Sequence, residues 1–80
     1  MTIDYNKITK FITNFEMAEK LIEIYNSTKN VVPFMDTRSA VLGHFNHVMD
    51  ANWELIESFT EEELEYGETL CELWKGRKVL

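Results

Sequence analysis

The stretch Thr37–Phe59, TRSAVLGHFNHVMDANWELIESF, decides the fold. Val41, Phe45, Val48, Asn52, Leu55 and Phe59 recur at alternating steps of four and three, with Leu42, Met49 and Ile56 beside them. That spacing is the period of a helix with one apolar stripe, and not the two-residue alternation of a half-buried strand. It predicts a helix over 37–58 with Asp36 or Thr37 as its cap.

The same device stands upstream. Ile8, Phe11, Phe15, Ala18, Ile22 and Tyr25 step by three and four, and Ile12 and Leu21 widen the stripe. A helix is predicted over 4–28, capped by Asp4 or Thr2, with Asn14 as the place where it would divide. Pro33 forbids its continuation, because the residue before a proline is pushed towards extended backbone. Downstream, Thr60 and Glu63 have capping-box spacing, and Glu61, Glu62 and Glu63 suit the positive end of a helix dipole. A third helix is predicted over 60–75. Gly76 would close it in a left-handed turn, while Lys75, Arg77 and Lys78 favour its negative end. The expectation is an all-α chain, one domain over 1–80, arranged as a small three-helix bundle whose heptad-like seams suit dimerisation.

With 80 residues, 45% of them hydrophobic, there is material for one core and not for two. Domains this small bury only about 60% of the surface that the unfolded chain exposes, so self-association is a common source of added stability. The loop Val31, Val32, Pro33, Phe34, Met35 is apolar for a connection and suits a cover over the core's end or a contact site. Gly67 falls on the inward face of the third helix, where it would let two helices approach. Gly43 falls on the outer face of the second, where alanine is the better helix former.

Charge carries the functional signal. The net charge is −6, and acids and bases cancel over residues 1–40, so the excess lies beyond them. Between Asp50 and Glu72 there is no lysine or arginine. On a helix Glu61, Glu65, Glu68 and Glu72 share a narrow arc, and Asp50, Glu54 and Glu57 form a second row on the helix before. Helices that need only solubility gain from mixing signs, since like charges a turn apart repel. The pattern points to a docking surface for a basic protein, with Phe34, Met35 and Trp74 as apolar anchors. In its most specific form the rows imitate a phosphate backbone. A solvated acidic face is the competing reading. Direct nucleic-acid and membrane binding are disfavoured by the same charge.

Asn52 places an amide in an apolar seam. Beside Phe45, Val48 and Leu55 it would set register in a homo-oligomer, or bond a nearby carbonyl within its own chain. His44, His47 and Asp50 stand three apart and offer a metal site, but the chain lacks both the zinc pattern of two histidines four apart around a glutamate and the Glu-x-x-His pair of iron bundles. No cofactor is expected. Cys71 sits among Glu68 and Glu72, which oppose thiolate formation, and Ser39 and Ser58 have no evident base. A single cysteine, no basic-then-apolar leader and no apolar run near 20 residues suggest a cytoplasmic protein. The leading expectation is therefore a non-enzymatic, acidic regulatory or inhibitory protein, probing a basic partner. A self-assembling structural subunit is the alternative, and a metal-binding helical protein centred on His44 and His47 the third.

Overall fold

The computed structural model describes residues 2–28, 33 and 35–77, and among these every regular element is a helix. The chain is all-α. The helices are α1 (Tyr5–Ser27), α2 (Met35–Ser58), α3 (Glu61–Tyr66) and α4 (Glu68–Lys75).

Asp4 caps α1 with its carboxylate, which accepts from the backbone N–H of Asn6 at 3.0 Å and of Lys7 at 3.4 Å. The helix runs unbroken past Asn14, so no division occurs there. Buried Ile8, Phe11, Ala18 and Leu21 hold one face of α1 against α2 throughout, which removes any reason to divide. The second helix starts earlier than expected, at Met35, and Asp36 lies inside its first turn rather than capping it. There its charge still faces the positive end of the dipole. Of the apolar connection, Val31, Val32 and Phe34 lie outside the described residues, as does Lys78 at the other end.

The predicted third helix is two. Thr60 caps α3 through a complete capping box, and Gly67 divides α3 from α4 with φ −105° and ψ 27°. Its N–H still donates to the Glu63 carbonyl at 3.1 Å, and the break follows at glycine, the residue with the least to lose on leaving the helix. A Cβ on Gly67 would meet only ordinary contacts, 3.7 Å from the Glu63 carbonyl oxygen and 3.9 Å from Cys71 Sγ, so close helix approach is not its role. Gly76 closes α4 with φ −83° and ψ −5°, right-handed rather than left-handed.

The two long helices form a hairpin whose facing seams supply Val41, Phe45, Val48, Met49 and Ile56 from α2. The chain then turns at Phe59 and lays α3 and α4 beside α1. Phe59 meets Phe11 with ring centroids 5.6 Å apart, and Trp74 meets Phe11 at 6.1 Å and Phe15 at 5.6 Å. Arg77 stacks over Phe15 and Trp74 and pairs with Glu19. The final described residue thus reaches the middle of α1, and among the described residues the rest of α1 packs on α2.

Both seam roles proposed for oligomer formation are spent inside the chain. Phe45, Val48 and Asn52 are buried in the hairpin and Leu55 packs against its core. Asn52 Nδ2 donates to the Phe11 carbonyl at 3.2 Å, so the amide fastens α2 to α1 rather than to a second copy. Gly43 is exposed, and a Cβ there would meet nothing within 4 Å. Gly43→Ala is expected to stabilise the fold by about 1 kcal/mol, the helix-propensity difference, read as a higher urea midpoint at unchanged slope.

Candidate docking surface

The capping box that starts α3 also decides which carboxylates face water. Glu63 turns inward and is 1% exposed. One oxygen accepts from the Thr60 N–H at 2.9 Å and pairs with Lys7 Nζ at 2.8 Å; the other accepts from the Asp4 N–H at 2.9 Å. Lys7 and these amide donors hold its pKa well below the ordinary 4.5, at about 2. With Glu63 as the fixed inner point of α3, the turn of the helix puts Glu61 and Glu65, two residues to either side, outside.

Glu61, Glu65, Glu68 and Glu72 are all exposed. Across the joint at Gly67, Glu65, Glu68 and Glu72 come together around an open groove of about 240 Å³, lined also by Leu64, Cys71 and Lys75. Among the described residues Lys75 is the base paired with this ridge, 3.5 Å from Glu72, and no base is paired with Glu61, Glu65 or Glu68. The groove has an apolar floor and an anionic rim. That is the complement of a lysine or arginine side chain, whose stem lies on apolar surface while its head meets carboxylates. Asp50, Glu54 and Glu57 are also exposed on α2 but do not line the groove. The two rows are separate features, and the ridge on α3 and α4 is the gathered one.

Of the anchors that the sequence suggested, Met35 alone is both described and exposed. Trp74 is fully enclosed and is a core residue. Phe34 lies outside the described residues, and Met35, 61% exposed, stands at the start of α2 away from the ridge. Beside the ridge stand Tyr66 and Leu73, each 58% exposed and each one residue from a ridge carboxylate. The Tyr5 ring meets Tyr66 edge-on with centroids 5.6 Å apart. Their seven-residue spacing outside the Leu64, Cys71, Trp74 stripe was the signal in the sequence.

His44, His47 and Asp50 are exposed, and among the described residues no three histidine, cysteine or acidic side chains are arranged to hold a metal ion. Burial pushes the Cys71 thiol up, against Lys75 and with help from Glu72. No described helix is long and apolar enough to cross a membrane. No family model, curated protein or solved structure matches this chain.

Proposed function

We propose that this is a non-enzymatic, cytoplasmic binding protein that docks the carboxylate ridge of α3 and α4 onto a basic surface of another protein, regulating or inhibiting it by cover. In this reading α3 and α4 act as one jointed third helix of a small bundle. The observation that carries it is the convergence of Glu65, Glu68 and Glu72 on one groove with an apolar floor, next to exposed Tyr66 and Leu73. Charge would speed encounter and select the partner, and the tyrosine and leucine would slow release. The most specific form is a partner whose basic surface otherwise holds nucleic acid, with the ridge standing in for phosphates.

The test is capture at low salt from the cell that makes the protein. Immobilised wild type is expected to retain a basic protein that elutes as salt rises. The combined variant Glu61→Gln, Glu65→Gln, Glu68→Gln, Glu72→Gln is expected to lose that protein, since exposed charges act through a field that salt screens over about 10 Å. Equal retention on both columns, with equal salt dependence, would leave the ridge as a solvated face only.

A further inference from the structure

The carboxylate groove of α3 and α4 already has a cation of its own. Lys75 is one of its lining residues, and the Lys75 Nζ stands 3.5 Å from Glu72 Oε1. Its charge also reaches the groove floor, where it draws the Cys71 thiol down against the larger upward push of burial. A base in the last turn of α4 suits the helix dipole wherever its side chain lies. The dipole therefore explains a lysine at this position but not the side it takes. Lys75 stands three residues beyond Glu72 and seven beyond Glu68, so the period of the helix carries its stem back along the ridge.

The contact is loose. At 3.5 Å it is longer than a good charge-assisted hydrogen bond, about 2.7–2.9 Å. Both side chains are well exposed, 44% for Lys75 and 68% for Glu72, and exposed pairs of this kind contribute little. An arginine from a partner can do more. Its planar fork meets two carboxylates at once, and its face can lie on Leu64 and Cys71. The two cations need the same carboxylates, and placed together they repel. We infer that Lys75 is a built-in competitor of the docking groove: its ammonium holds the place that a partner's arginine takes, and it swings out to solvent when the partner docks. Lys75 thereby limits the affinity of the docking proposed above, on which this role depends.

The experiment is a fluorescence-anisotropy titration of fluorescein-labelled octa-arginine, with helical circular dichroism as the check on each variant's fold. Two matched triple variants test docking itself. Glu65→Gln, Glu68→Gln, Glu72→Gln is expected to weaken binding by about tenfold or more, because it strips the groove of its paired acceptors. Asp50→Asn, Glu54→Gln, Glu57→Gln removes the same charge from the separate α2 row and is expected to cost about threefold or less. Equal losses overturn the docking reading, and the role of Lys75 with it. Lys75→Gln is expected to tighten binding by about fivefold, the scale of one unit charge at contact distance in water. Arg38→Gln removes an equal charge outside the groove and is expected to gain about twofold at most. Lys75→Arg keeps the charge and pairs better with the ridge, so it is expected to bind no better than wild type. If the ridge triple alone weakens binding while Lys75→Gln gains no more than Arg38→Gln, the competitor is overturned and the docking surface stands. The same holds if Lys75→Arg gains as much as Lys75→Gln.

Discussion

Replacing Glu63 by alanine is expected to lower the melting temperature by about 10 °C, the scale of losing charge-assisted hydrogen bonds at a part-buried site in a domain of this size. Three donors converge on this one carboxylate: the Asp4 and Thr60 amides and the Lys7 ammonium. Alanine leaves the Asp4 and Thr60 amides without their acceptor, while Lys7 keeps the Ser58 carbonyl at 2.9 Å, and an unmet amide in a part-buried site costs more than its bond was worth. Thermal melts of both proteins at neutral pH give the difference. Glu63→Gln separates charge from volume, because glutamine fills the space but brings its own donors towards donors. The pH dependence has a definite sign. The folded pKa, about 2, lies below the ordinary 4.5, so the stabilisation is complete above the ordinary value and is lost as pH falls through that interval. Wild type is therefore expected to lose melting temperature steeply between those limits, and Glu63→Gln to show a shallower fall. Parallel slopes in the two proteins would contradict the assignment.

Trp74→Ala is expected to cost about 4 kcal/mol, the usual range for emptying a large aromatic site. Domains are stable by roughly 5–15 kcal/mol, and the smallest stand at the low end, so the variant is expected near its unfolding midpoint without denaturant. The reason is position: Trp74 is fully enclosed between Phe11 and Phe15 and carries the stacked Arg77 on its face. Urea titration followed by Trp53 fluorescence and helical circular dichroism measures it. Trp74→Phe is expected to cost far less, since it keeps an aromatic ring and removes an indole N–H that is buried without a partner. Equal losses in the two variants would show that the indole's size, and not ring packing, sets the energy.

Local pattern made the two long helices and the capping box legible, because the residues that cause them stand within a turn or two of each other. Asp4 and Thr60 cap where their sequence context says they should. The joint at Gly67 was harder to read, since a lone glycine in a helical pattern is tolerated as often as it breaks one. The true partners of Glu63 were beyond reach: its capping role is three residues long, but its bond to Asp4 spans 59. For the same reason Trp74 passed for an anchor, as periodicity gives the inward face of a helix but not how completely another element closes over it. Asn52 was readable as an anomaly, and only the packed hairpin reveals its mate as the Phe11 carbonyl. The ridge was legible as a run of charge. Which carboxylates gather around a groove depended on the joint, and so on the fold.

The late-coming third layer has a consequence during synthesis. A nascent chain that has emerged only through Phe59 already contains both long helices, yet Phe11, Phe15 and Phe59 still await the tryptophan and arginine that cover them. Until then an aromatic strip lies open, the sort of surface through which incompletely folded chains aggregate. Arrival of the last two short helices is what covers that strip.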